Sequence, residues 1–119
     1  MSVVECVERY TVEREHLAEH LARRGIEVLS TPCLILFMEK TARTCLDEAV
    51  GKPSVGVRVD VRHRRPIPLG GVVEVRVKGM ATGGGYYLFS VKAYYQGELA
   101  AEGVHLRKVV DDGFPYQAR

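Results

Sequence analysis

Apolar and polar positions follow two periods along this chain, and the changes of period mark its elements. Residues Ser2 to Thr11 are rich in Val and end on Tyr10 and Thr11, which predicts a first strand. From Val12 to Arg24 the chain is charged, with Leu17 and Leu21 four apart on one face and Gly25 placed as a C-terminal cap, predicting a short surface helix or lid. A second helix is predicted from Thr31, whose hydroxyl can cap the first turn while Pro32 gives up an amide hydrogen that turn cannot use. It runs through Leu34, Ile35, Leu36, Phe37, Met38, Ala42, Leu46, Ala49 and Val50 and stops at Gly51. Its first half is apolar all round, the pattern of a helix buried on most sides.

After Gly51 the period becomes two. Val55, Val57, Val59 and Val61 alternate with Gly56, Arg58, Asp60 and Arg62, predicting a half-buried strand whose valines face inward. Pro66, Pro68, Gly70 and Gly71 break it, and Val73, Val75 and Val77 begin another. A turn at Gly83-Gly84-Gly85, a strand over Tyr87 to Tyr95, a turn at Gln96-Gly97 and a strand over Leu99 to Val110 complete the pattern. Consecutive hairpin-length connections predict an antiparallel sheet with the long helix covering its Val-lined face. The fold class is therefore α+β, a single domain over residues 1–119 with a loose tail from about Asp111.

Composition narrows the function classes. A chain of 119 residues, 46% hydrophobic and 27% charged, has the balance of one globular core. A net charge of +2 does not predict nucleic-acid binding, although Arg58, Arg62, Arg64 and Arg65 form a local basic cluster suited to an anionic ligand. Three cysteines, Cys6, Cys33 and Cys45, predict neither a disulfide framework nor a zinc site, so a cytoplasmic protein is expected. The apolar run from Pro32 to Met38 is far shorter than the roughly 20 residues of a membrane span, and Glu5, Glu8 and Arg9 interrupt any signal-peptide core.

Against this background one residue stands out. Glu39 follows six apolar residues in the second helix, and a buried carboxylate costs several kcal/mol unless paired or neutralised. Either Lys40, Arg43 or the helix end carries it to solvent, or it serves a site. Strand parity places His63 on the same side as Val57, Val59 and Val61, and so toward the helix, as a hydrogen-bonded structural histidine or as a titrating partner of Glu39. Thr31 is explained by capping, but the free amides of the first turn are also suited to a developing oxyanion, with Thr31 N–H or Cys33 N–H available. Thr31 and Glu39 are eight residues apart, roughly 12 Å along a helix axis. Two such helices lying antiparallel would bring Glu39 of one chain to the Thr31 end of another, so an obligate dimer is expected. His16 and His20 have helical spacing but no third ligand, and no metal site is predicted. Cys33 is read as a packing residue, with an activated thiol the alternative.

The stretches Thr31-Pro-Cys-Leu-Ile-Leu-Phe-Met-Glu39, Gly56-Val-Arg-Val-Asp-Val-Arg-His63 with Pro66 to Gly70 after it, and Gly103-Val-His-Leu-Arg107 carry a family resemblance. Over about Val28 to Val110 the chain resembles hotdog-fold thioesterases, in particular the branch similar to fluoroacetyl-CoA thioesterase. The resemblance implies an antiparallel sheet wrapped around one long central helix, and a Thr, Glu and His catalytic set falling on Thr31, Glu39 and His63. It also places Gly56 where that branch has a glycine beside the acyl group, and implies an acyl-CoA threaded between protomers. The charged segment Val12 to Ile26 departs from the lid of that branch.

The expected activity is hydrolysis of an acyl-CoA thioester to free acid and CoA, with Glu39 as nucleophile or general base and His63 aiding proton transfer. Gly56, Cys33, Arg58, Arg62, Arg64 and Arg65 are the candidate substrate-binding residues. No cofactor is expected beyond the coenzyme A of the substrate, and the partners expected are acyl-CoA and a second copy of the chain in a homodimer or homotetramer, without nucleic acid or membrane. The competing readings are a non-catalytic acyl-CoA-binding protein and an enoyl-CoA hydratase or dehydratase.

Overall fold

The computed structural model describes residues 4–110, and in it the period-two segments form five strands. These are β1 (Glu5–Thr11), β2 (Ser54–His63), β3 (Val72–Gly83), β4 (Tyr86–Tyr95) and β5 (Glu98–Val109), with a short α1 (Glu19–Ala22) and a 20-residue α2 (Thr31–Val50). All pairings are antiparallel, in the order β1-β3-β4-β5-β2. Residues 2, 3 and the tail from Asp111 lie outside the described residues.

The strand order departs from a run of hairpins in one respect. Strand β2 pairs with β5, not with β3, so residues 64–71 form a crossover rather than a turn. The crossover is held beneath the start of α2, where Leu29 N–H donates to the Ile67 carbonyl at 2.8 Å and Leu69 N–H to Glu27 at 3.0 Å. Close approach of β2 to β5 requires glycine at 103, because a Cβ there would sit 2.0 Å from the Asp60 carbonyl oxygen.

One face of α2 packs on the sheet through Leu34, Phe37, Met38, Ala42, Cys45 and Leu46 against Val73, Val75, Val77, Phe89, Val91 and Ala93, all buried. The helix is not enclosed all round: Leu36 is 56% exposed, on a side the protomer leaves uncovered. The predicted helix from Val12 to Arg24 is broken into a 3-10 turn over Arg14–His16 and the four residues of α1. The break arises because Leu17 pairs with Leu29 and Ala18 N–H donates to the Val28 carbonyl, extended contacts that a continuous helix cannot make. His16 then rests edge-on against Phe37, which itself stacks on Tyr10 at 4.4 Å.

Parity in β2 also changes. An irregularity between Gly56 and Arg58 makes Val57 the extra residue of a bulge, so Gly56 faces the helix while Val55 and Val57 stay about half exposed. Val59, Val61 and His63, beyond the bulge, keep the predicted inward side and are partly buried.

The cysteine expectation is overturned. Cys6 on β1 and Cys45 on α2 form a disulfide across a sequence separation of 39, and Cys33 alone is free. That separation hides the pair from spacing rules, since only the docking of β1 on the helix brings the two together. The expectation of a reducing compartment loses this basis. Among the described residues, no helix is long and apolar enough to cross a membrane.

Closing a loop of this length restricts the unfolded chain by about 4 kcal/mol in the chain-entropy treatment. Cys6→Ser and Cys45→Ser are each expected to lower the melting temperature by roughly 10 °C or more, as is reductant on the wild type. Melting curves with and without dithiothreitol check this, and three free thiols in the unreduced protein, rather than that of Cys33 alone, would contradict it.

Candidate active site

The start of α2 settles the part Thr31 plays. Ser30, not Thr31, is the cap: its Oγ accepts from Cys33 N–H at 3.2 Å. Thr31 becomes the first helical residue, and its hydroxyl is free to meet His63, with Oγ1 and Nδ1 2.9 Å apart. Cys33 N–H is committed to Ser30 and Pro32 has none, which leaves Thr31 N–H as the open amide of the turn among the described residues. Cys33 itself is half-buried against the core, the packing role expected of it.

Thr31 and His63 lie in a cleft of about 600 Å³ whose walls include Leu17, Leu21, Val28 and Leu29, with Arg64 and Arg65 at its edge. Those two arginines are engaged at the surface, Arg64 with Glu102 at 2.7 Å and Arg65 with Glu98 at 3.3 Å. Arg58 and Arg62 are exposed on β2 and line neither this cleft nor the Glu39 pocket. Burial pushes His63 below the ordinary histidine value, with the Arg65 backbone pulling the other way. Its Nε2 is buried and has no hydrogen-bond partner among the described residues, so the ring keeps one nitrogen for Thr31 and one for something else.

Glu39 does not reach this pair within the protomer. It is half-buried in a second, separate hollow of about 270 Å³ with Leu36, Lys40, Arg43, Gly56 and Arg107. Gly56 is needed there, since a Cβ on it would stand 2.7 Å from Glu39 Oε2, 3.3 Å from His105 Cε1 and 3.5 Å from Arg107 Nη1. Glu39 has no side-chain hydrogen bond or ion pair among the described residues. The expectation that His63 and Glu39 share one interior therefore fails in a single chain, for the axial reason that kept Thr31 from Glu39.

Two residues beside Glu39 were not singled out as site residues from the sequence. His105 and Arg107 are 1% and 4% exposed on the helix-facing side of β5. Arg107 donates from Nε to Ser54 Oγ, from Nη2 to the Ser54 carbonyl and from Nη1 to His105 Nε2. Burial pushes its guanidinium below the ordinary value and Glu39 opposes that shift. A signal for both was present in the alternation: continuing the inward parity of Ala101 and Gly103 puts a histidine and an arginine where β5 should be apolar.

The pairing of an open helix terminus with a Thr–His contact, and of a carboxylate with a buried arginine, suits acyl transfer, and relatives bear on which kind. A sequence profile described as "Fluoroacetyl-CoA-specific thioesterase" (FlK) matches residues 12–113. The chain belongs to that thioesterase family. Among solved structures, this thioesterase is similar to a hot-dog-like protein from Thermanaerovibrio acidaminovorans, with 27% identity, a TM-score of 0.81 and coverage of 90% of this chain and 81% of that one. A variant of the fluoroacetyl-CoA-specific thioesterase FlK bound to fluoroacetate and CoA aligns at 21% identity and a TM-score of 0.80, covering 89% of this chain and 91% of that one. An acyl-CoA hydrolase from Staphylococcus aureus, in complex with butyryl coenzyme A and coenzyme A, aligns at 16% and 0.75 over 93% of this chain and 66% of that one. No match was found among curated proteins. The hotdog architecture and the assignment as a thioester hydrolase acting on acyl-CoA follow.

The two inward histidines have a shared pH consequence. A histidine whose folded value is depressed lends stability above its unfolded value of 6.5 and withdraws it as pH falls through the lower folded value. Unfolding free energy is expected to decline below pH 6.5, and this acid slope to flatten in His63→Gln and His105→Gln. Denaturant titrations from pH 4 to 7 check it; an unchanged slope in both inward variants would contradict it.

Proposed function

We propose that this thioesterase hydrolyses its acyl-CoA at sites built by two protomers, each with Thr31 and His63 from one chain and Glu39 from the other. The Thr31–His63 contact at the head of α2, 2.9 Å long and in a cleft, carries this reading. Glu39 lies about 12 Å further along the same helix, so only a second chain can complete the set. Strand β2 offers the place for it. It is one of the two edges of the sheet, ten residues long with one side unpaired among the described residues, and Leu36, Val55 and Val57 are exposed near the Glu39 hollow. Apolar exposure along an open edge favours a second copy over water.

In this arrangement the thioester carbonyl oxygen lies against Thr31 N–H and the Thr31 hydroxyl, with the α2 dipole favouring the charge that develops there. Glu39 either attacks the carbonyl carbon or takes a proton from the water that does, and the C–S bond breaks as the tetrahedral centre collapses. His63, neutral at pH 7 because burial disfavours its charged form, passes a proton through Thr31 or its free Nε2 toward the departing thiolate. Water is consumed, and a carboxylic acid and CoA thiol are released. Arg64 and Arg65, at the cleft edge and held only by surface ion pairs, are the side chains placed to exchange Glu102 and Glu98 for CoA phosphates.

Thiol release from short, medium and aromatic acyl-CoAs tests the chemistry. Glu39→Ala and His63→Ala are each expected to lose about 100-fold or more in kcat. Enoyl-CoA turnover without thiol release would mark a hydratase instead, and ligand binding without any turnover a binding protein. The shared site has its own check: mixing inactive Thr31→Ala and Glu39→Ala proteins after dissociation restores one intact site per mixed dimer, roughly a quarter of wild-type activity for random pairing. No restoration under conditions where subunits exchange would sink the two-chain site.

A further inference from the structure

The reaction just described leaves His105 unused, although it is a 1% exposed titratable residue packed against the Glu39 hollow. Its hydrogen bonds fix its state. The Arg107 guanidinium has five N–H donors and no acceptor, so the 3.1 Å contact of Arg107 Nη1 with His105 Nε2 requires Nε2 to accept. The imidazole proton then sits on Nδ1, which donates to the Arg58 carbonyl at 2.9 Å. Both ring nitrogens are satisfied in this one tautomer and in no other.

We infer that His105 is a positioning residue for Arg107, holding the guanidinium beside Glu39 and Gly56 as a neutral imidazole protonated on Nδ1. This rests on the proposed reaction only in giving Arg107 a task. Three acceptors, Ser54 Oγ, the Ser54 carbonyl and His105 Nε2, take three of the five N–H groups of Arg107. Two remain uncommitted, one of them on Nη1, 3.5 Å from where a Gly56 Cβ would be. The guanidinium is thereby aimed at the space between Glu39 and Gly56 and cannot rotate away without giving up a buried hydrogen bond.

Protonation of His105 would remove the acceptor and set two cations 3.1 Å apart in a buried place. The groups facing it oppose this on balance. Burial and Arg107 favour the neutral ring, while the Arg58 backbone and Glu39, from β2 and α2, favour the charged one, and the net direction is downward. Arg43 and Asp47 of α2 act on Arg107 with opposite signs. The tautomer lock works through β2 as well, because the Arg58 carbonyl lies just past the Val57 bulge that turns Gly56 inward.

Nitrogen-15 NMR of the histidine rings in the wild-type protein tests the lock directly. The His105 ring, assigned by its loss in His105→Gln, is expected to show a protonated Nδ1 and bare Nε2, still in that state at pH 6.5, the ordinary histidine value. An Nε2-protonated ring, or a ring already half doubly protonated at pH 6.5, overturns the inference whatever the enzyme's substrate is.

Kinetics test the task. His105→Leu is expected to lower kcat about tenfold with KM changed by less than about threefold, and His105→Gln, whose Oε1 can accept in place of Nε2, to recover most of it. In an Arg107→Leu background the Leu substitution is expected to cost nothing further. Additive losses, or Gln no better than Leu at equal melting temperature, overturn it. If the wild type releases no thiol from any acyl-CoA, the proposed function fails while the ring spectra still decide the state of His105.

Discussion

The rigid length of α2 is the constraint on which the site depends. Its ends are fixed independently, by the Ser30 cap at one and by Gly51 in the left-handed conformation at the other, and its middle is clamped to the sheet by buried apolar contacts and by the Cys6–Cys45 bond. Thr31 and Glu39 therefore cannot approach one another by any local adjustment. Each is forced to gather its own neighbours, and two separate clusters result. Thr31 finds His63 at the end of β2, and Glu39 finds Gly56 near the beginning of the same strand and Arg107 beside it.

Strand β2 thus serves both clusters, and its irregularity allows this. Without the extra residue at Val57, Gly56 and His63 would have opposite parity and only one would face the helix. The bulge restores both to one side and leaves Val55 and Val57 exposed along an open edge. The same strand that presents the catalytic candidates also presents the apolar margin against which a second chain would pack. In the proposed dimer, fold and assembly become one problem, since the sheet edge that a lone protomer leaves open is the edge across which a second chain's Glu39 would come within reach.

The electrostatics of the two halves differ for a physical reason. At the helix head the charge is the partial positive of the open Thr31 amide and the helix dipole, and the histidine there keeps a free nitrogen. In the Glu39 hollow a full cation is buried, and it is tolerated because three acceptors and a nearby carboxylate surround it. In the proposed reaction, the group that exchanges protons keeps a nitrogen free, while the group that holds a charge still is given three acceptors.

Much of this was legible in the order of residues alone. Period-two valines, the Thr31-Pro32 helix start, the Gly51 stop and the acid at position 39 are local signals, and local signals survive without coordinates because backbone geometry imposes them. Thr31, Glu39 and His63 could be nominated for the same reason, and helix rise alone said that Thr31 and Glu39 could not meet. What the sequence could not decide were relations between segments far apart in the chain: the seat of β2 beside β5, the bond between Cys6 and Cys45, the break in the Val12 to Arg24 segment and the shift of parity at Val57. Each depends on which surfaces come to lie together, and that is fixed by burial of the whole core, to which no single stretch contributes enough to announce its partner. His105 and Arg107 show the boundary most clearly. Their alternation was in the sequence, but their meaning required Glu39 and Ser54 to be brought beside them, and only the tertiary structure did that.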